Sequence, residues 1–354
     1  MRVPELVVLA EQLLAPVPGG TGRYTRELID ALSATAPAGW EVTAAATRRG
    51  ELDRLRTLPV PNRVLTGAWE LGLPWWPGGD AVHAPTPWAP PRAPRGKQLV
   101  VTVHDTVPWT HPETLTPRGA GWHRRMITRA RRRAEAIVVP TQAVAAELSE
   151  LVPGSTPLHV TGAGVPDALL RGPVEPMSGL PAKYLLFVGT LEPRKGLDVL
   201  LAALAGLGLP LVVVGSQGWG GVSLPELARH HHVQDRVQHL GGIDDARLAG
   251  VLRGAAALVM PSRAEGFGLP VLEAMALGTP VVHSDAPALV EVAGGAGIVA
   301  RRDDPAALRV AIREALERRS ELVAAGLARA EQYSWRHCAR AVWAVHENLW
   351  QEAH

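Results

Sequence analysis

The stretch Tyr184–Gly215, YLLFVGTLEPRKGLDVLLAALAGLGLPLVVVG, contains a complete strand, loop, helix and strand. YLLFVG is a continuous apolar run too short for a core helix, as expected of a strand buried on both faces. GTLEPRKG interrupts it with glycine and proline, a helical pattern begins near Gly196, and Leu211–Gly215 is a second apolar run. Two strands bridged by a helix run parallel, because the crossover returns the chain to its starting edge. This βαβ unit sets the class as α/β.

The same alternation extends in both directions. Toward the C-terminus it predicts strands at Val237–Leu240, Ala257–Met260, Pro280–His283 and Gly297–Val299, then helix from Pro305 with a break before Ser334. Toward the N-terminus it predicts strands at Leu6–Leu9, Trp40–Ala46, Arg63–Thr66, Ala81–Ala84, Leu99–Val103, Ala136–Val139 and Leu158–Val160. Helices are expected over Gly22–Ala34, Pro117–Ala134 and Gln142–Leu151. The Gly/Pro-rich RGPVEPMSGLP, residues 171–181, interrupts the pattern as a linker does, so the boundary is placed between a domain of residues 1–174 and one of 175–335. Two Rossmann-like domains bind ligands beyond the carboxyl ends of their strands, which points to a shared interdomain cleft.

Composition narrows the function classes. At 354 residues, 47% hydrophobic and 20% charged, the chain can fill two cores. No apolar run reaches the roughly 18 residues of a membrane span, and MRVPELVVLAEQ does not read as a secretory signal. A single cysteine, Cys338, excludes an internal disulfide and fits a reducing cytoplasm. Of 36 lysines and arginines only Lys97, Lys183 and Lys195 are lysine, a bias that GC-rich codons would produce. With a net charge of only +2, no nucleic-acid partner is expected.

The densest chemistry lies in PSRAEGFGLPVLEAMALGTP, residues 261–280. Pro270 suits a helix start and Gly278 its stop, which places Glu265 in the preceding loop and Glu273 about one turn inside. Gly266 and Gly268 let a ligand oxygen approach the outward N–H groups of that helix start. Ordinary capping also uses a first-turn glutamate and a glycine turn, but the combination favours a ligand. In GTLEPRKG, Arg194 and Lys195 would sit at the positive end of a helix, a conflict of about 0.3–1 kcal/mol each that an anionic ligand such as a diphosphate removes. A solvated basic turn is the alternative.

PGGTGR, residues 18–23, allows a ligand near Gly20 with Thr21 as a cap, or is a plain tight turn. His104 and Asp105 emerge from the carboxyl end of LVVTV. Metal binding is not expected, because His230–His232 lacks cysteine or clustered carboxylates and no D-x-D pair occurs. In WHRRMITRARRRA, Trp122, Met126, Ile127 and Ala130 form one helix face opposite Arg124, Arg125, Arg129, Arg131 and Arg132. That arginine face reads as solvated, with peripheral contact to an anionic membrane as the other reading.

In this order the segments resemble the retaining glycosyltransferases of the GT-B fold, family four. The likeness runs through PGGTGRYTREL, VTVHDTVPWTHPE, AIVVPTQAVAAEL, FVGTLEPRKG, VVVGSQGW, HLGGIDDARLAGVL, EGFGLPVLEAMALGTPVV and the closing YSW. Glu265 and Glu273 match the family's E-x7-E signature. The resemblance implies that Glu265 lies by the donor sugar, Glu273 binds the ribose, Arg194 and Lys195 hold the diphosphate, Gly20 approaches the phosphates and His104 stands beside the transferred sugar. Gly266, Phe267, Gly268 and Leu269 would complete the donor site, with Gly242 and Ile243 at the base. It implies a terminal helix, 336–354, crossing back to the N-terminal domain. The activity implied is transfer of a hexose, mannose from GDP-mannose as first choice, to a glycan or lipid-linked acceptor in cell-surface glycan synthesis. No cofactor or metal beyond the nucleoside-diphosphate sugar is implied, and the location is cytoplasmic, at most peripheral to the inner membrane face. A sugar-nucleotide epimerase or hydrolase, or a non-catalytic nucleotide-sugar-binding subunit, could use the same fold. His283 departs from the family, which has a small residue there.

Overall fold

The computed structural model describes residues 3–16, 19–48, 55–175, 177–218 and 220–353. Pro18 of the glycine segment, Pro176 of the Gly/Pro stretch and Trp219 lie outside them. The chain forms two compact units, Met1–Thr110 with Pro117–Ala163 and Trp335–His354, and His111–Thr116 with Gly164–Ser334. Among the described residues no helix is long and apolar enough to cross a membrane.

The first unit is built on a parallel sheet of seven strands: β1 Glu5–Leu9, β2 Glu41–Ala46, β3 Leu55–Thr57, β4 Ala81–Ala84, β5 Gln98–Thr102, β6 Ala136–Val139 and β7 Leu158–Val160. Their order is β3-β2-β1-β4-β5-β6-β7, so the direction of winding reverses between β1 and β4. The second unit repeats the plan with β8 Leu185–Val188, β9 Leu211–Val214, β10 Val237–Gly241, β11 Ala257–Met260, β12 Val281–Ser284 and β13 Ile298–Ala300. Its order is β10-β9-β8-β11-β12-β13, with the reversal between β8 and β11. Both are Rossmann-like α/β units. The strands β6, β8, β9 and β11 are buried at every residue, which is why they read as unbroken apolar runs.

Two readings of local pattern are corrected. Arg63–Thr66 is not a strand but part of a helix, Asn62–Glu70. Its Val64 and Thr66 suggested β structure, yet the buried positions are Leu65 and Trp69, spaced i, i+4 on one helix face. The edge strand β3 was not anticipated. The passage between units also falls earlier than the Gly/Pro stretch implied. Helix Asp167–Arg171 buries Leu169 within the second unit, Arg253 Nη2 donates to Leu170 O (3.3 Å), and Glu175 N donates to Ala246 O (3.2 Å). Glycine and proline mark irregular backbone; burial of Leu169 decides which unit the segment joins.

The arginine face of helix Pro117–Arg133 is not simply solvated. The buried Arg131 guanidinium donates to the carbonyls of Val152, Gly154 and Thr156, Arg129 to those of Trp69 and Glu70, and Arg124 Nε to Pro108 O. These side chains close helix ends and loops whose carbonyls would otherwise lack donors.

The terminal helix, Trp335–Ala353, belongs to the first unit and packs on helix Gly19–Ala34 and on β5. Trp343 Nε1 donates to Leu32 O (3.1 Å), and the Cys338 thiol lies 3.4 Å from Gly162 O. Beneath it His346 Nε2 meets His83 Nδ1 at 3.3 Å, and His83 Nε2 meets Thr102 Oγ1 at 3.0 Å. Burial holds His346 down to about 3, and burial with the neighbouring His346 and His104 holds His83 well below its ordinary value. The unfolded chain would protonate both near pH 6.5, whereas the folded chain resists. Stability is therefore full above that pH and falls below it, by on the order of 1 kcal/mol per pH unit for each histidine. The thermal midpoint should drop between pH 7.5 and pH 5, and His346→Gln should flatten the dependence; an equal slope in wild type and variant would remove the assignment.

Candidate functional site

The main cluster forms where the second sheet reverses, between the loops that follow β8 and β11. In open α/β sheets this switch point is where two loops diverge and leave a crevice for a ligand. β8 ends at Val188, and after Glu192 the chain makes a 3-10 turn, Pro193–Lys195, before Gly196 caps helix Leu197–Leu204. Gly196 adopts a left-handed φ of 67°, and a Cβ there would lie 2.2 Å from Pro261 O. The missing side chain lets the β8 loop press on the β11 loop, where Arg263 N donates to Arg194 O at 2.7 Å.

That approach brings Lys195 to Glu265. Lys195 Nζ donates to Glu265 Oε1 (2.7 Å) and Oε2 (2.9 Å), and Ser262 Oγ donates to Oε1 (2.7 Å). Arg194 Nη1 reaches Glu265 Oε2 at 3.4 Å and Ala264 O at 3.1 Å, and its Nε donates to Glu192 Oε2 at 3.0 Å. The Lys195 and Glu265 side chains are only 11% and 7% exposed. Burial, then the Arg194 charge, lowers Lys195, with Glu265 opposing. For Glu265 burial acts upward, but Lys195 and Arg194 outweigh it and hold the carboxyl below its usual range. The pair stays ionic.

This changes the argument made for Arg194 and Lys195. They precede the helix rather than open it, and carboxylates of the protein itself, Glu192 and Glu265, already answer their charge. Ser262 and Glu192 were not singled out from sequence, although each lies within three residues of a candidate. What the cluster offers chemically is a fixed set of N–H donors with a carboxylate tied to them. An entering anion can share the donors, and the carboxylate can accept from hydroxyls.

Beyond Glu265 the chain runs through Gly266 and the buried Phe267, whose ring meets Tyr333 at 5.7 Å. Gly268 caps helix Leu269–Ala276 with φ 93°, and a Cβ there would come within 2.4 Å of Leu289 Cδ2. Glu273 lies inside that helix and is 3% exposed. Gly242 and Ile243 follow β10 on the same carboxyl edge, just before Asp244 caps the next helix through Arg247 N (2.9 Å). His283 in β12 is buried, bonds Ser284 O through Nδ1 (2.8 Å), and is pushed down by that burial. A Cβ at Gly297 would lie 2.9 Å from its ring, so a glycine on the neighbouring segment makes room for this large residue.

His104 and Gly20 lie in the first unit. His104 Nε2 bonds Pro85 O at 2.7 Å, so this nitrogen carries the proton and Nδ1 remains an acceptor. The Tyr24 ring packs edgewise on it at 4.6 Å, and burial lowers its pKa, opposed by Pro85 and Asp105. Gly20 lies in the first turn of helix Gly19–Ala34, and a Cβ there would meet nothing within 4 Å. Thr21 is not the cap; it is already helical, and its carbonyl accepts from Thr25 Oγ1 (2.8 Å). At the carboxyl edge of the first sheet His104 helps to line a cavity of about 790 Å³, with Glu11, Asn62, Trp88, Asp105 and Trp122 on its wall.

Residues 18–169 match the family model Glycosyltransferase Family 4, and residues 178–330 match Glycosyl transferases group 1. O-antigen chain mannosyltransferase B of Escherichia coli is 39% identical over 164 residues, 44% of this chain and 43% of that protein. D-inositol 3-phosphate glycosyltransferase of Rhodococcus erythropolis is 37% identical over 169 residues, 43% of this chain and 38% of that protein. The chain thus matches less than half the length of either relative. Among solved structures, sucrose-phosphate synthase of Thermosynechococcus elongatus superposes with a TM-score of 0.77 at 22% identity, covering 99% of this chain and 100% of that one. The fold is that of GT-B glycosyltransferases.

Proposed function

We propose that this chain, whose residues 18–169 match the Glycosyltransferase Family 4 model and 178–330 the Glycosyl transferases group 1 model, transfers a hexose from a nucleoside-diphosphate sugar with retention of configuration. The reading rests on one observation: Lys195, Arg194 and Glu265 are gathered at the switch point of the second sheet. Mannose is the first choice of sugar, supported by the name of the Escherichia coli relative, with GDP-mannose as the donor and a glycan or lipid-linked hydroxyl as the acceptor.

Transfer breaks the bond between the anomeric carbon and the diphosphate, leaving positive charge on the sugar and negative charge on the departing group. Lys195 and Arg194 stabilise the latter, in the role that other enzymes give to a divalent cation. Entry of the diphosphate draws these donors partly off Glu265, whose oxygens then accept from sugar hydroxyls. Glu265 is a poor acid here because it stays ionised, and its role is to orient the sugar, with Ser262 still donating to Oε1. The acceptor oxygen forms the new bond on the face the diphosphate leaves, and its proton passes to a diphosphate oxygen. Neutral His104, its Nε2–H held by Pro85, offers Nδ1 to a sugar hydroxyl.

The test is thermal shift against a panel of nucleoside diphosphates and their sugars, followed by NMR of the product's anomeric configuration. The guanine pair should stabilise most, the product should retain configuration, and transfer should survive EDTA. Absence of stabilisation by every nucleoside diphosphate would overturn the reading.

A further inference from the structure

The terminal helix, Trp335–Ala353, reaches the carboxyl end of β5 by two separate routes. One is the chain of His346, His83 and Thr102 already described. The other starts at Trp335, the first residue of the helix, whose ring meets the Tyr24 ring at 5.3 Å with the planes 72° apart. Tyr24 in turn stands against the His104 ring at 4.6 Å and 82°. His104 follows the last residue of β5 by two positions, so both routes end on the same stretch of backbone.

Tyr24 is 3% exposed and Trp335 7%, and neither lines the cavity to which His104 contributes. They stand behind the histidine and are packed, not offered to a ligand. Tyr24 also comes one turn after Gly20 on helix Gly19–Ala34, and its hydroxyl lies among Thr102, Thr161 and the Cys338 thiol of the terminal helix. The hydrogen bond from His104 Nε2 to Pro85 O (2.7 Å) fixes one end of the imidazole, but a single bond leaves a ring free to turn about its own line. An aromatic ring set edge-to-face against it removes that freedom, because such a pair prefers a plane as well as a distance. The direction of Nδ1 is then settled.

We infer that Tyr24 is a positioning residue for His104, and that Trp335 carries this support from the terminal helix, so that the last helix of the chain sets the direction in which Nδ1 is presented. The use of Nδ1 toward a sugar rests on the glycosyltransferase reading, whereas the positioning does not.

The experiment is long-range proton–nitrogen NMR of the whole chain carrying 15N-labelled histidine, followed across pH, with His104→Gln to assign the signal. Wild type should show the Nε2–H tautomer and titrate below 6.5, since burial lowers His104 with Pro85 and Asp105 opposing. Tyr24→Leu removes the aromatic partner and loosens the packing, so the tautomers should mix and the titration should move up toward the ordinary value. Tyr24→Phe keeps the ring and should match wild type, a rescue that a merely space-filling role would not single out. Trp335→Leu should shift the signal in the same direction and by less. Asp105 and His83 also face His104, and these variants leave both in place. In transfer from GDP-mannose to α-linked mannotriose, turnover should fall about three- to tenfold in Tyr24→Leu, the worth of one edge-to-face pair, while donor KM holds.

An unmoved His104 signal in Tyr24→Leu, an equal shift in Tyr24→Phe, or wild-type turnover in Tyr24→Leu would each overturn the inference. Where Tyr24→Leu does not fold, the signal in Trp335→Leu decides in the same way. Nucleoside-diphosphate thermal shifts on the same samples keep the two readings apart: intact shifts with an unmoved His104 sink the positioning alone, whereas absent shifts sink the glycosyltransferase reading.

Discussion

Lys195→Ala should lower transfer by about a hundredfold or more, the usual consequence of deleting one fixed donor to developing negative charge. The ammonium lies 2.7 Å from Glu265 Oε1 and next to Arg194, so its removal takes away one of the two cations and loosens the carboxylate that addresses the sugar. Breaking a buried ion pair can cost about 3–5 kcal/mol, since the remaining charge is left without a partner. Here Glu265 keeps Ser262 Oγ at 2.7 Å and Arg194 Nη1 at 3.4 Å, so the loss should fall near or below the lower end of that range. Glu265→Gln is the comparison: it keeps the shape but loses the charge and replaces one accepting oxygen by an NH2 that cannot accept from Lys195 or Arg194, so it should also impair transfer. Exposed Lys183→Ala is the control and should change neither quantity. Initial rates at saturating donor, read beside thermal midpoints, decide the matter. Wild-type turnover in Lys195→Ala would remove the diphosphate assignment.

Gly196→Ala should be the most destabilising single methyl in the second unit's active loop. Alanine at φ 67° costs roughly 1–2 kcal/mol from backbone sterics alone. The new Cβ would also lie 2.2 Å from a main-chain oxygen, that of Pro261, which no rotamer change can move aside. Relief requires the β8 and β11 loops to part, and that separates Lys195 from Glu265. The total should exceed about 3 kcal/mol, a drop of roughly 6–12 °C in midpoint for a domain of this size, with loss of transfer at temperatures where the protein is still folded. Gly20→Ala is the informative contrast, because a Cβ at Gly20 meets no atom within 4 Å. Its midpoint should not fall, whereas donor affinity should. An unchanged midpoint in Gly196→Ala would refute the packing argument.

Strand positions were legible because parallel strands buried on both faces need local apolar runs, as in YLLFVG and LVVV. The pattern failed for Arg63–Thr66, where β-branched residues occur on a helix whose buried face is set by Leu65 and Trp69. Arg131 could be counted among the solvated arginines only until its carbonyl partners, more than twenty residues away, were known. The candidate site divides in the same way. Glu265, Glu273, Arg194, Lys195 and the glycines around them could be named from residue type and spacing, since capping, turns and helix starts have short-range rules.

The linear chain thus settled the α/β alternation and the identity of the charged groups, both governed by interactions over a few residues. Folding settled who meets whom. Lys195 pairs with a carboxylate seventy positions away because β8 and β11 become neighbours and Gly196 lets their loops touch. His346 is neutral because the last helix buries it against His83. The tryptophan-walled cavity exists because the segments that follow β1, β2, β3, β4 and β5 converge on one sheet edge. Such meetings depend on three-dimensional distance and desolvation, which residue order does not encode locally.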